Sequence, residues 1–271
     1  MLFCQLGRAD SLREICNGLA CCLRRLVRLG ISRAPRRPTL SYSSQHRPAA
    51  LFGDLFWTAL ERFRERQGLG SRNRKFRFKN KLLSLDSTTI SLCLTLFSWA
   101  KSRRANGGVK AQVLLDHDDY LPAYVLVTEA KRSDVNLADS FALNPGSIVA
   151  MDRGYTDYSL LDLWAMAGVY FVTRLKDNTA YAVVVECEVP ANRGILADQI
   201  IRLTGSPAQI DCPCLLRRVA VWGAENERVI VLLTNLLEFG ATTLAVIYKK
   251  RWQIESFFKA LKQNLSVKTF V

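Results

Sequence analysis

The chain has 271 residues, of which 49% are hydrophobic, 23% charged and 10% aromatic. This composition predicts a folded protein of about two domains and excludes a disordered chain, a collagen-like repeat and a small disulfide-stapled scaffold. The formal net charge is +14 at pH 7, and residues 1–80 carry 17 of the 38 basic but only 5 of the 24 acidic residues. Such segregation indicates a polyanionic partner, either nucleic acid or an anionic membrane surface, unless the charge only solvates the surface.

Two further classes are disfavoured by the sequence. No apolar run approaches the roughly 20 residues that span a bilayer, so we expect no membrane partner. The eight cysteines include no C-x-x-C pair, and there are only two histidines. The sequence therefore predicts no zinc site, and it assigns no chemistry to Cys212 and Cys214. Scattered thiols are typical of a reducing cytoplasm.

The N-terminal part is predicted to be helical. Apolar residues recur at steps of three and four between Leu12 and Leu29, which predicts an amphipathic helix or a pair of helices. Prolines and serines between Ser32 and Pro48 predict a loop. A second helix is predicted from about Ala50 to Gln67. A basic run follows, which includes Arg72, Arg74, Lys75 and Arg77.

Strand patterns begin after Lys81. One predicted strand ends at Asp86, another covers Ser91 to Phe97, and a hairpin is predicted from residues 109–115 and 120–127. We expect the acidic tip of this hairpin, residues 116–119, to be solvated.

The second half of the chain continues the α/β pattern. A buried strand from Ser147 to Met151 ends at Asp152, and a helix with Asp157 as its cap and a further strand follow. Residues 177–236 are rich in strand signals. A long amphipathic helix is predicted from about 241 to 265, with Thr242 or Thr243 as its N-cap.

Two aspartates stand where apolar strands end. The cleft at the carboxyl ends of strands is where α/β sheets bind ligands, and Asp86 and Asp152 occupy this place. Taken singly, an aspartate in this place is more often a turn residue or a helix cap than a catalytic residue.

The final helix carries a spaced polar set. Tyr248 is followed at offsets of 3, 7 and 14 by Arg251, Glu255 and Lys262, which predicts one stripe on a helix. A solvated face with one Arg251–Glu255 ion pair would also explain the charges, but not the aromatic residues Tyr248 and Trp252 in the same turns.

This spacing resembles the YREK signature of DDE transposases of insertion-sequence family four. The resemblance extends to Leu85-Asp86-Ser87-Thr88 and to the segment from Met151 to Asp157, and it covers most of residues 81–271. It implies an α/β fold with a ribonuclease H-like mixed sheet flanked by helices, an inserted β-rich subdomain and a basic helical N-terminal region.

The same resemblance implies a division of the chain into five parts. They are a partial helical DNA-binding region (1–48), a helix and basic linker (49–80), the first part of the catalytic core (81–176), the β-rich insertion (177–236) and the Glu-bearing helix of the core (237–271).

In chemical terms, the resemblance implies cut-and-paste transposition of an insertion sequence. Asp86, Asp152 and Glu255 would be the catalytic residues and would bind two Mg²⁺ ions, for which Mn²⁺ can substitute. The implied activity is DNA strand cleavage followed by strand transfer. The partners would be double-stranded DNA, as terminal inverted repeats and target DNA, and a second copy of the chain on paired ends. The implied location is the bacterial cytoplasm, at the nucleoid.

The remaining residues of the signature are implied to contact DNA. Tyr248, Arg251 and Lys262 resemble the family's phosphate contacts, and Trp252 matches a position that stacks on a terminal base in some relatives. Simple core packing is the alternative for Trp252. The basic run with Arg72, Arg74, Lys75 and Arg77 fits the binding of element ends.

Two other functions remain open at this point. The chain could be a two-metal DNA nuclease without strand transfer. Because relatives typically begin earlier and extend further than this chain, it could also be a truncated, catalytically silent DNA-binding remnant.

Overall fold

A computed structural model of the chain describes residues 9, 11–67, 78–92, 107–129, 141–191, 193–223 and 227–264. The chain divides into two compact units, one of residues 1–72 with 262–270 and one of residues 73–261 with residue 271. Among the described residues, no helix combines the length and the apolar character needed to cross a membrane.

The regular structure in the described part of residues 11–67 is helical. The helices are α1 (Leu12–Cys21), α2 (Leu23–Arg28), α3 (Arg37–His46) and α4 (Ala50–Gln67). The predicted helix pair and the predicted second helix are confirmed, and Ser11 caps α1 by accepting from the Glu14 N–H at 3.2 Å. The predicted loop is wrong over α3, because Pro38 stands in the first turn of that helix, where its missing N–H leaves no hydrogen bond unmade.

The described residues of the second unit form nine strands, four α-helices and a short 3-10 helix at Arg153–Tyr155. The strands are β1 (Leu82–Leu92), β2 (Gly107–Asp116), β3 (Pro122–Glu129), β4 (Ile148–Met151), β5 (Tyr170–Arg174), β6 (Tyr181–Glu186), β7 (Ile195–Leu203), β8 (Leu216–Gly223) and β9 (Arg228–Thr234). The helices are α5 (Tyr158–Met166), α6 (Ser206–Asp211), α7 (Ala241–Lys250) and α8 (Gln253–Asn264). The predicted mixed sheet flanked by helices is confirmed.

All nine strands form one sheet in the order β3-β2-β1-β4-β5-β9-β8-β7-β6. Strands β1, β4 and β5 are parallel, whereas β2 and β3 extend the sheet as an antiparallel hairpin. At the other side β9 pairs antiparallel with β5, so the strands β6 to β9 continue the sheet.

The five-part division of the chain stays a prediction.

Strand β1 does not end at Asp86 as predicted. Its pairing with β2 continues from Leu83 to Leu92, while its pairing with β4 stops at Leu85. Asp86 is therefore the first residue of β1 beyond the parallel pairing, which leaves it beside the end of β4. The predicted strand over 91–97 lies outside the described residues beyond Leu92.

The predicted β2–β3 hairpin is confirmed, but its tip is not fully solvated. Asp116 is 5% exposed, and its carboxylate lies 2.9 Å from the Lys81 Nζ atom. The turn packs against the start of β1, since the His117 N–H donates to the Leu82 carbonyl at 3.0 Å.

The two faces of the sheet carry different helices. On one face, Ile148, Ala150 and Val172 pack against α7. Val113 and Leu115 of β2 pack against α8. On the opposite face, buried residues of β1, β4 and β5 pack against α5 and the α6 region. Because side chains alternate along a strand, residues of even number on β1, β4 and β5 face α7 and α8.

The predicted single helix from 241 to 265 is divided in two. Between α7 and α8 the backbone hydrogen bonds span three residues, as in Arg251 N–H to Tyr248 O at 3.1 Å and Glu255 N–H to Trp252 O at 3.1 Å. This tightening changes the direction of the side chains that follow. Helix α7 begins after Gly240, and no side chain caps it, so the predicted Thr242 or Thr243 cap is wrong.

The break allows the two helices to pack on different strands. Helix α7 contacts β4 and β5, and α8 contacts β2. Strand β1 lies between β2 and β4 in the sheet. The junction at residues 251–252 therefore crosses β1, the strand that carries Asp86.

Candidate active site

Three polar side chains meet at the carboxyl ends of the parallel strands. Asp86 follows the paired part of β1, Asp152 follows β4, and Arg174 ends β5. All three have the same parity as Ile148, Ala150 and Val172, so they face α7 and α8. The predicted meeting of Asp86 and Asp152 follows from the register of two adjacent strands.

Arg251 joins Asp86 to the Glu-bearing helix. Its Nη1 atom donates to Asp86 Oδ2 at 3.0 Å, and its Nη2 atom lies 3.6 Å from Glu255 Oε1. Arg251 itself is 5% exposed. One guanidinium thus holds a strand carboxylate and a helix carboxylate on its two nitrogens, and the Arg251–Glu255 ion pair expected for an exposed helix forms part of a larger charged group.

The electrostatic surroundings of Asp86 are dominated by burial. Burial raises the pKa of Asp86 above its ordinary value, while the Ser87 N–H and the Arg251 charge act in the opposite direction. Repulsion from Asp152 and Glu255 raises the pKa further. The three predicted acids therefore interact as one charged cluster.

Arg174 completes the cluster on the side of Asp152. Its Nε atom lies 3.7 Å from Asp152 Oδ1. Burial raises the pKa of the nearby Tyr248 phenol, although the charges of Arg251 and Arg174 act to lower it. The sequence reasoning missed Arg174, yet the same strand-end rule that selected Asp86 and Asp152 would have found it.

The loop after Asp152 is held in place by β5 and the residues that follow it. The Thr156 carbonyl accepts from Lys176 Nζ at 2.6 Å, and the Thr156 hydroxyl lies 3.2 Å from that of Thr173. Asp157 caps α5 by accepting from the Leu160 N–H at 3.2 Å, as predicted. These contacts fix the backbone on both sides of the loop that begins with Asp152.

A hydrogen-bonded chain positions the start of α8 and was not predicted. Ser84 Oγ lies 2.6 Å from His117 Nε2, and His117 Nδ1 lies 3.1 Å from Gln253 Oε1. Ser84 precedes Asp86 by two residues on the same face of β1, and Gln253 precedes Glu255 by two residues. The chain therefore connects the backbones that carry two of the three acids.

The other predicted residues have different surroundings. Trp252 is 49% exposed, so it is not a core residue, and its ring lies 5.4 Å from the Arg251 guanidinium carbon. Lys262 lies in the last turn of α8. Because α7 and α8 are separate, the predicted continuous stripe is interrupted at residues 251–252. The predicted basic residues Arg72, Arg74, Lys75 and Arg77 lie outside the described residues.

Comparison with known proteins identifies the family. Residues 77–270 match the family model described as a transposase DDE domain. The chain belongs to this transposase family. Residues 1–32 match a domain of unknown function, DUF4372. The mixed sheet is thus the ribonuclease H-like fold that the sequence predicted for a DDE domain.

Two curated relatives are named as transposases. A putative transposase, y4zB, from Sinorhizobium fredii is 31% identical over 245 residues, which cover 88% of this chain and 65% of the relative. A probable transposase for insertion sequence element IS5377 from Geobacillus stearothermophilus is 31% identical over 206 residues, which cover 72% of this chain and 52% of the relative. The chain therefore spans between about half and two thirds of the length of these two relatives.

DDE domains generally use divalent metal ions, and carboxylates are the ligand type that such ions bind, although in this structure the Arg251 guanidinium lies between those of Asp86 and Glu255. Asp86, Asp152 and Glu255 offer hard oxygen ligands, which Mg²⁺ and similar cations prefer. Burial is the main cause of the raised pKa of Asp86, and repulsion from Asp152 and Glu255 adds to it, so gathering these acids without a cation carries an electrostatic cost. A divalent cation bound to them would remove that cost.

Proposed function

We propose that this chain is a DNA transposase of the YREK type, in insertion-sequence family four, that cleaves element ends and transfers them to target DNA. The observation that carries the proposal is the single charged cluster formed by Asp86, Asp152, Glu255 and Arg251 at the strand ends of a DDE domain. The sequence separation of these residues is large, so their meeting is a property of the fold.

The three acids would act as ligands for two divalent cations. Mg²⁺, or Mn²⁺ in its place, would supply activation of the attacking oxygen and charge neutralisation at the leaving oxygen in an in-line displacement at phosphorus. Asp86 and Asp152 would orient one side of the site from the rigid sheet, and Glu255 would close it from α8. Arg251 holds the Asp86 and Glu255 carboxylates on its two terminal nitrogens, and Arg174 lies beside the Asp152 carboxylate.

The other residues of the signature would position DNA. Tyr248, Arg251 and Lys262 offer a phenolic donor, a guanidinium fork and a point charge for backbone phosphates. The half-exposed Trp252 ring is available for stacking on a displaced base, a contact that contributes about 1–3 kcal/mol per base. We further propose that the N-terminal helices and the basic run bind the terminal inverted repeats.

The assembly proposed is a homodimer on paired ends of double-stranded DNA, acting at the nucleoid in a bacterial cytoplasm. Its support is the transposase family and the strong positive charge of residues 1–80.

The test uses the purified chain with DNA that carries the inverted repeats flanking its gene. We expect Mg²⁺-dependent cleavage and joined products, both lost on Asp86→Asn, Asp152→Asn or Glu255→Gln. Glu188→Gln, at an exposed position away from the cluster, is the matched control and should retain activity. Cleavage that persists in all three site variants would contradict the proposal.

The same experiment separates the two other functions. Cleavage without any joined product would identify a nuclease. DNA binding without cleavage, with Mg²⁺ and with Mn²⁺, would identify a catalytically silent DNA-binding protein.

A further inference from the structure

Two thiols and a carboxylate converge on the face of the sheet opposite the acidic cluster. Cys212 follows α6, Cys214 precedes β8, and Asp162 lies on α5. The two sulfur atoms and a carboxylate oxygen all lie within 4.8 Å of one another, and the two Sγ atoms are 3.4 Å apart. This group lies among the residues that pack with α5, whereas Asp86 and Asp152 lie on the face covered by α7 and α8, and Glu255 lies on α8.

The separations match those of ligands around a tetrahedral cation. A Zn–S bond of about 2.3 Å and tetrahedral angles place two sulfur ligands about 3.8 Å apart. The observed 3.4 Å between Cys212 and Cys214 needs an adjustment of only a few tenths of an ångström. A disulfide requires the sulfurs to approach to about 2.05 Å.

The ligands are held in place by well-packed structure. Cys212 is fully buried, and its N–H donates to the Ala208 carbonyl at 3.0 Å. The intervening Pro213 restricts the backbone between the two thiols. Asp162 lies on α5, whose first turn is fixed by the Asp157 cap. The three ligands are thus positioned by separate elements that already pack together.

From this geometry we propose that Asp162, Cys212 and Cys214 bind a thiophilic divalent cation of the Zn²⁺ class, with water in the fourth position. Two thiolates favour such a cation over Mg²⁺, which prefers oxygen ligands. The bound cation would tie α5 to the connection between α6 and β8. Because α5 directly follows the loop of Asp152, this tie would also restrain one end of that loop.

The sequence could not show this site. The Cys212-Pro-Cys214 segment has no second cysteine pair, and its third ligand lies 50 positions earlier on a helix. Only the packing of α5 against α6 brings them together.

The test uses Co²⁺ as a spectroscopic probe with the full chain. The protein is reduced, freed of metal with a chelator and titrated with Co²⁺ under anaerobic conditions. We expect a thiolate-to-cobalt charge-transfer band together with the intense visible bands of tetrahedral Co²⁺, and Zn²⁺ should abolish both. Any Co²⁺ bound only by the carboxylates of the acidic cluster lacks the sulfur band, so the result is independent of the transposase proposal.

Variants assign the band to individual ligands. Cys214→Ser should abolish the charge-transfer band, while Cys187→Ser, a cysteine outside the cluster, should leave it unchanged. Asp162→Asn leaves both thiols unchanged. Loss of a partner outside the first coordination shell weakens metal binding by about 10–100-fold, so loss of this direct ligand should weaken Co²⁺ binding at least as much. Circular dichroism verifies that each variant is folded.

Three outcomes would overturn the proposal. They are the absence of a charge-transfer band in the wild-type chain, a band that survives Cys214→Ser, and an affinity unchanged by Asp162→Asn. Mass spectrometry of the freshly reduced protein exposed to air adds a further arm. A Cys212–Cys214 disulfide that forms equally in the presence and absence of Zn²⁺ would identify a redox pair and overturn the metal site.

Discussion

Arg251 donates a hydrogen bond to Asp86 across 165 positions of sequence, with 3.0 Å between Nη1 and Oδ2. The same guanidinium lies 3.6 Å from Glu255 through its other terminal nitrogen. Arg251 stands at the break between α7 and α8, so this contact fixes where the Glu-bearing helix meets β1. The pair therefore links the geometry of the acidic cluster to the stability of the fold.

Replacing this arginine should destabilise the protein. Arg251→Gln would leave the mostly buried Asp86 carboxylate without its guanidinium, and breaking a buried pair costs about 3–5 kcal/mol. Because the Asp86 side chain is 20% exposed, we expect a loss at the lower end of that range, measured by urea denaturation. Arg251→Lys keeps the positive charge but not the guanidinium fork, so its free energy of unfolding should lie between those of the wild type and Arg251→Gln. If Arg251→Gln has the same free energy of unfolding as the wild type, the Arg251–Asp86 pair is energetically unimportant.

The raised pKa of Asp86 gives a stability that depends on pH. Burial makes the folded chain hold this proton more tightly than the unfolded chain, in which the pKa is about 3.8. Stability is therefore lost as the pH rises through the raised value. Asp86→Asn cannot ionise, so we expect its free energy of unfolding in EDTA to fall less than that of the wild type between pH 4 and pH 7. Urea denaturation at a series of pH values measures this, and an equal fall for the variant and the wild type would contradict it.

The Ser84–His117–Gln253 chain should affect catalysis more than stability. Gln253→Ala removes one hydrogen bond, which costs about 0.5–1.5 kcal/mol, but it also frees the start of α8, where Glu255 lies. We expect a clear fall in the rate of DNA cleavage with nearly unchanged DNA affinity. Gln263→Ala, an exposed glutamine on the same helix, is the control. Equal cleavage rates for the two variants would show that the chain does not position Glu255.

The buried ion pair between Arg217 and Asp198, on strands β8 and β7, should be a separate determinant of stability. Arg217 binds Asp198 through two hydrogen bonds of 2.7 and 2.6 Å, and it also donates to the carbonyls of Leu237 and Phe239 ahead of α7. Arg217→Met should cost about 3–5 kcal/mol because it leaves Asp198 buried and unpaired. Thermal or urea unfolding measures this loss.

The double variant provides the control for that ion pair. Asp198→Leu combined with Arg217→Met removes both charges, so it should recover much of the lost stability. A double variant no more stable than Arg217→Met alone would mean that the carbonyl contacts of Arg217 outweigh the ion pair.

The basic run should determine the salt dependence of DNA binding. If 6–10 phosphates are neutralised, affinity should fall by about 10³–10⁵ between 50 and 200 mM salt. Changing Arg72, Arg74, Lys75 and Arg77 together to Gln should reduce the slope of log affinity against log salt by about 3.6 if each contacts a phosphate. Fluorescence anisotropy at several salt concentrations measures the slope. An unchanged slope would place the phosphate contacts elsewhere.

Local patterns in the sequence were sufficient for several elements. The bounds of α4, the β2–β3 hairpin and the Asp157 cap all depend on residues close to one another in the chain. The positions of Asp86 and Asp152 beside the end of the parallel pairing also follow from each strand separately, while their role as ligands stays a prediction.

Features that depend on distant packing were not predictable in this way. The apolar spacing of Ile247, Ile254 and Phe258 continues through residues 251–252, so periodicity predicts one helix. The break exists because Ile247 packs with β4 and β5, whereas Ile254 and Phe258 pack with β2. Likewise, the His117 side chain meets Gln253 only once α8 has docked.

The division of the acidic cluster between the sheet and α8 has a consequence for biosynthesis. Asp86 and Asp152 belong to neighbouring strands, but Glu255 is added 103 positions after Asp152. At translation rates of about 5–20 residues per second, that interval is about 5–20 s. A nascent polypeptide on the ribosome therefore carries only two of the three acids during that time, so the DNA cutting proposed for the complete cluster would be withheld from the unfinished product.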